Sequence, residues 1–169
     1  GIGTIRSVSV TMRTPGNDEE LATGFLFGEG ILNRRSEVAR IERNEGSSAN
    51  KVRVHLAVGV RVDLKQLERH FYTTSSCGIC GKASLEAVQR LMLTGPCANS
   101  SLRLPVATVH LLPSRLRRAQ QLFADTGGLH AAALFDIDGN LLMVREDVGR
   151  HNAVDKLVGH LAKTRWPIN

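Results

Sequence analysis

The chain has 169 residues, and its 22 Lys+Arg against 16 Asp+Glu leave a formal net charge of +6, the size and balance of one basic domain over 1–169 rather than an array. With 42% hydrophobic and 22% charged residues, it has the composition of a protein that buries well over half of its unfolded surface, which excludes global disorder. No apolar run nears the roughly 20 residues that cross a bilayer, and no basic region followed by an apolar stretch opens the chain, so a cytoplasmic protein with no membrane partner is expected.

In chain order, Val8, Val10 and Met12 alternate with polar residues and predict a half-buried strand ending at the Pro15-Gly16 turn. A helix should follow, capped by Asn17 with Glu20 as the capping-box partner, carrying Leu21, Phe25 and Leu26 on one stripe and stopped by Gly28 and Gly30. Residues 38–41 and the alternating Val52, Val54, Leu56 and Val58 predict a hairpin across the turn at 44–50. Residues 71–74 read as a short strand running into a loop of small residues at 75–81, and residues 84–93 as a helix, with a turn-rich stretch at 95–101.

Ser114 after Pro113 predicts the start of a further helix, with Leu116, Ala119, Leu122 and Phe123 facing inward, ending at Gly127-Gly128. The apolar runs 129–135 and 141–144 are joined through Asp138-Gly139, a strong hairpin signal. A last helix carries Ala153, Val154, Leu157 and Leu161 inward. Strands and helices alternate with hairpins inside the series, which predicts an α/β fold with a mixed sheet covered by helices.

Three clusters could carry chemistry. In the first, Cys77 and Cys80 form a CxxC unit, whose two thiols can share a metal, form a disulfide or carry sulfur as a persulfide. A structural zinc site needs four ligands, and only Cys97 and scattered histidines remain, so no metal set is assigned. A loop thiol just ahead of a helix, with Lys82 beside it, is favoured as the attacking thiolate.

The second cluster, Thr126-Gly127-Gly128-Leu129-His130, combines two glycines that allow close backbone approach with a titratable imidazole. The third runs from Glu146 to Lys156 through Asp147, Arg150, His151, Asn152 and Asp155 at a strand-to-helix junction. Helix-start N–H groups with Arg150 suit a phosphate, and Asp147, Asn152 and Asp155 can hydrogen-bond a purine, pterin or ribose.

Those three clusters, in order after Thr14-Pro15-Gly16-Asn17-Asp18-Glu19-Glu20-Leu21-Ala22-Thr23-Gly24-Phe25-Leu26 and Gly28-Glu29-Gly30-Ile31-Leu32, resemble the formate dehydrogenase accessory sulfurtransferase (FdhD) family over nearly the whole chain. The resemblance implies a fold similar to the cytidine deaminases, a three-layer helix-sheet-helix sandwich, and a homodimer. It further implies that Cys77 carries a persulfide taken from a cysteine desulfurase, with Cys80 as its relaying or resolving partner. The acceptor would be the molybdenum bis-guanylyl-pyranopterin cofactor that formate dehydrogenase requires.

Gly127, Gly128, His130, Arg150, His151, Asn152 and Asp155 would then bind that cofactor, or a guanine nucleotide mimicking it. Family members continue past this point, so the family's start and its C-terminal cofactor-binding segment are expected to be missing here. A zinc deaminase is disfavoured, because His130-Ala131-Ala132 lacks the Glu of the HxE motif and the CxxC lies upstream of it after Ser76. A second reading is a guanine-cofactor or nucleotide binding module whose CxxC senses redox state or metal. Nucleic acid ranks last as a partner despite the positive charge, since only 4% of residues are aromatic and no stacking platforms interleave the arginines.

Overall fold

The computed structural model describes residues 4–43, 50–62 and 103–164. Cys77, Cys80 and Cys97, with the strand expected at 71–74, the helix at 84–93 and the turn at 95–101, lie outside the described residues. The described elements are the helices α1 (Asp18–Gly28), α2 (Val106–Ala119), α3 (Gln121–Thr126) and α4 (Arg150–Thr164), a short 3-10 turn (Arg35–Glu37), and the strands β1 (Val38–Arg43), β2 (Val52–Leu56), β3 (His130–Phe135) and β4 (Leu141–Asp147). The α/β expectation is met. These four strands form two separate antiparallel ladders, β1–β2 and β3–β4, and by themselves do not make the mixed sheet of a three-layer sandwich.

Helices α1 and α4 pack face to face between the two ladders, α1 reaching β2 and α4 lying on β3 and β4. Their contact is set by glycines. A Cβ on Gly24 would come within 2.6 Å of the carbonyl carbon of Asp155, and one on Gly159 within 2.6 Å of that of Glu20, so only hydrogen at both positions lets the backbones meet. Leu21, Ala153, Leu157, Leu161 and Ala162 are buried, while Leu26, Leu32 and Val38 form the core between α1 and the first hairpin. Val154, expected to face inward, is half exposed: the buried side of α4 runs instead through Ala153, Lys156, Leu157 and Gly159.

Three further local expectations are corrected. Val8, Val10 and Met12 form no strand: Val8 packs on the core, but Val10 and Met12 are 94% and 86% exposed. The backbone there bonds side chains of α4 rather than a strand partner, Asn152 Nδ2 donating to the Met12 carbonyl at 2.7 Å. Asn17 does precede α1, but in a left-handed conformation, φ 56°, and makes no side-chain cap; Glu20 turns away to Arg145 and His160. Finally, α2 begins two turns before Ser114 and runs through Pro113, with Ser114 Oγ donating to the Leu111 carbonyl at 2.8 Å. Ser114 is thus no N-cap: Pro113 lies inside the helix, at the cost of one backbone hydrogen bond, rather than just before its start. Leu122 is likewise exposed rather than inward.

Both predicted hairpins form. In the second, the Asp136 carboxylate accepts the N–H groups of Asp138 (3.0 Å) and Asn140 (2.7 Å) and the Asn140 amide (2.9 Å), and Gly139 takes the left-handed conformation at φ 76°. Hydrogen bonds from the Asn140 side chain and backbone hold the Asp136 carboxyl below its ordinary range. Arg115 of α2 donates to the Asp138 and Gly139 carbonyls, pinning that helix to the turn. Asp136→Ala is expected to lower the thermal midpoint at neutral pH, with the effect shrinking as pH falls and the carboxyl protonates, which a melting series across pH would read.

Candidate ligand-binding site

The register of the second ladder decides which side chains meet. His130 pairs with Asp147 and Ala131 with Glu146, so the glycine cluster preceding β3 and the helix start following β4 leave the ladder at one end. Gly127 closes α3 in the left-handed conformation, φ 68°, its N–H donating to the Phe123 carbonyl at 2.7 Å. Gly127, Gly128 and His130 are exposed on this side, Arg150 and His151 on the other. The exposed rim therefore combines a guanidinium, two imidazoles and the first N–H groups of α4, a set suited to an anion.

Beneath the rim lies a buried ion pair. Asp147 is fully buried and its Oδ2 is 2.7 Å from the Nζ of Lys156, which is 1% exposed. Asp147 Oδ1 also accepts the Gly149 N–H and the Asn152 amide, each at 2.9 Å, and Oδ2 accepts the Thr14 N–H at 3.1 Å. Lys156 donates further to the Thr14 carbonyl at 2.9 Å, and Thr14 Oγ1 accepts the Val148 N–H at 2.9 Å. This network straps residues 11–14 across the start of α4, and a Cβ at Gly149 would stand 2.9 Å from Asn152 Nδ2 and disturb its hydrogen bonds.

Two of the seven expected ligand residues thus face inward. The Asn152 amide is engaged by Asp147 and Met12, with Thr11 Oγ1 donating to its Oδ1 at 3.3 Å. Asp155 lies against the end of α1, where a Cβ on Gly28 would be 3.5 Å from its Oδ1. Burial, with the Glu29 charge adding, pushes its pKa up to about 7. A carboxyl raised in the folded state contributes its stability below its unfolded pKa and loses it as pH rises through about 7. Asp155→Asn is therefore expected to raise the thermal midpoint by roughly 5 °C at pH 8 and hardly at all at pH 4. An equal shift at both pH values would refute the assignment.

Sequence reasoning missed the group that ties the site to α1. Glu20 bonds Arg145 Nε (2.6 Å), Arg145 Nη2 (2.9 Å) and His160 Nδ1 (2.8 Å), joining α1, β4 and α4. Burial alone would raise the Glu20 carboxyl, but these hydrogen bonds and the charges behind them outweigh it and hold it below its ordinary range. Its contribution is present at neutral pH and is lost as pH falls below about 4. Glu20→Gln is expected to flatten the acid limb of the stability profile, measured by denaturant titration at several pH values. The spacing of Glu20, Arg145 and His160 gives no local signal, since more than 120 residues separate the first two.

A family model described as the FdhD/NarQ family matches residues 4–169. The sulfur carrier protein FdhD of Mycolicibacterium paratuberculosis is 51% identical over 169 residues, 96% of this chain and 62% of that protein. The protein of the same name from Sulfolobus acidocaldarius is 42% identical over 160 residues, 95% of this chain and 58% of its own. The chain thus spans less than two thirds of the length of these relatives. A crystal structure described as a candidate formate dehydrogenase accessory protein from Desulfotalea psychrophila is similar with a TM-score of 0.61 at 26% identity, covering 92% of this chain and 54% of that one. Among the described residues no helix is long and apolar enough to cross a membrane.

Proposed function

Because the chain belongs to the FdhD/NarQ family, we propose that it is a sulfurtransferase that moves persulfide sulfur from a cysteine desulfurase to the molybdenum bis-guanylyl-pyranopterin cofactor of formate dehydrogenase. The Cys77 thiolate attacks the outer sulfur of the donor persulfide. The donor's S–S bond breaks, its thiolate leaves, and Cys77 carries the sulfur with no net change of oxidation state. With the acceptor in place, attack of Cys80 on the inner sulfur of that persulfide expels hydrosulfide and closes a Cys77–Cys80 disulfide, and the hydrosulfide replaces an oxygen ligand of the acceptor that leaves as water. The two electrons the sulfur gains come from the thiol pair.

The observation that carries the acceptor side is the ladder register. His130 stands opposite Asp147, so two clusters some 20 residues apart in sequence supply one exposed rim of glycine backbone, imidazole and guanidinium. An anionic, guanine-bearing cofactor is the ligand class that suits it, with pyrophosphate oxygens toward Arg150 and the α4 N–H groups.

Intact mass after incubation with a desulfurase and cysteine tests the reading. The wild type is expected to gain about 32 Da, reversible by reductant, and Cys77→Ala to gain nothing. Labelling retained in Cys77→Ala would overturn the role given to that thiol. No labelling of the wild type, with active controls, would favour a cofactor-binding module that moves no sulfur.

A further inference from the structure

Glu146 and Asp147 are consecutive residues at the end of β4, and consecutive side chains of a strand point to opposite faces. Asp147 turns to α4, where it accepts the Gly149 N–H and the Asn152 amide and so fixes the helix start that presents Arg150 and His151. Glu146 turns the other way. Its Oε2 accepts the Leu122 N–H at 3.0 Å and its Oε1 the Phe123 N–H at 2.8 Å, the two oxygens gripping the first turn of α3 from outside the helix.

One turn of helix transmits that grip to the glycines. The Phe123 carbonyl accepts the Gly127 N–H at 2.7 Å, and the Leu122 carbonyl accepts Thr126 Oγ1 at 2.7 Å. The residues whose N–H groups Glu146 holds are therefore the same ones whose carbonyls hold the Thr126-Gly127 turn. Arg117, with its guanidinium 3.5 Å from the centre of the Phe123 ring, fixes the same turn from α2. A six-residue helix such as α3 has little stability of its own, so its placement depends on these external contacts.

We propose that Glu146 is a positioning residue for the ligand rim: it touches no ligand, but by clamping α3 it sets where Gly127 and Gly128 stand relative to Arg150 and His151. The inference rests on the proposed guanine-bearing ligand. Adjacent carboxylates on one strand thereby hold both flanks of the rim, and ligand affinity depends on the Glu146 clamp although both its oxygens are engaged by α3.

Glu146→Gln keeps the size of the side chain but offers one acceptor and one NH2 group to two N–H donors, so one of the two bonds is replaced by a donor facing a donor. The experiment is GDP titration by calorimetry on the full chain, wild type and Glu146→Gln, with thermal midpoints and amide hydrogen exchange measured in parallel. Expected are GDP binding by the wild type, affinity weakened about tenfold in the variant, and faster exchange at Leu122, Phe123 and Gly127 with the α1–α4 exchange unchanged. A purely structural loss would instead accelerate exchange throughout and lower the midpoint in proportion. GDP bound equally well by both proteins would overturn the positioning role alone. A wild type that does not bind GDP would overturn the guanine-ligand reading and this inference with it.

Discussion

Lys156→Met is expected to destabilise the domain by about 3–5 kcal/mol, because it leaves a carboxylate buried without its counter-charge. Asp147 has no exposed surface, and its Oδ2 lies 2.7 Å from Lys156 Nζ. Its remaining donors, the N–H groups of Gly149 and Thr14 and the Asn152 amide, are neutral. Removing the opposite partner with Asp147→Asn strands an ammonium at a position 1% exposed, at a similar cost. The double variant Lys156→Met/Asp147→Asn buries no charge and is expected to recover a substantial part of the loss. Urea unfolding of the four proteins measures the coupling, and additive single effects would disprove it.

Gly24→Ala and Gly159→Ala are each expected to lose about 2–4 kcal/mol, although alanine is the better helix former by about 1 kcal/mol. The added methyl would meet the backbone of the opposite helix, at Asp155 and at Glu20, and backbone cannot swing aside as a side-chain end can. The helices would have to separate, loosening the buried contacts of Leu21, Leu157 and Leu161. Gly28→Ala, in the same helix but meeting only Asp155 Oδ1 at 3.5 Å, is the control and is expected to be neutral or slightly stabilising. Melting midpoints of the three variants decide the matter; stabilisation by all three would show that the helices do not touch through glycine.

How far the sequence led follows from which forces are local. Both hairpins were legible because alternation and an Asp138-Gly139 turn report strand and loop directly. The N-terminal segment was not, since alternation in Val8, Val10 and Met12 records the capacity to pair but not the presence of a partner. Glu20 stood at capping-box spacing, yet Asn17 in the left-handed region makes no side-chain cap, and Arg145 and His160, which claim Glu20, come from far along the chain. Glycines inside helices at Gly24 and Gly159 were a visible signal of close packing, readable only as a pair once α1 and α4 are known to cross. In the site, the clustering of polar residues at 146–156 pointed to a junction that the structure fills with a buried hydrogen-bond network. It did not separate Arg150 and His151, which face outward, from Asn152 and Asp155, which one-turn periodicity carries to the inner side of α4.

The strap and the helix pair also bear on how the protein comes into being. Thr14 meets Asp147 across 133 residues of chain, and Glu20 meets His160 across 140, so the first helix finds its packing partner in the last described one. Contacts of such high sequence separation slow folding, because the loop must close before any of them is gained. At translation speeds of about 5–20 residues per second, α1 would emerge from the ribosome on the order of 10 s before α4 exists, with its α4-facing side uncovered throughout while Leu26 can already pack on the first hairpin. Synthesis of this domain therefore includes an interval in which the face of α1 around Gly24, shaped to meet α4, has no partner to close on.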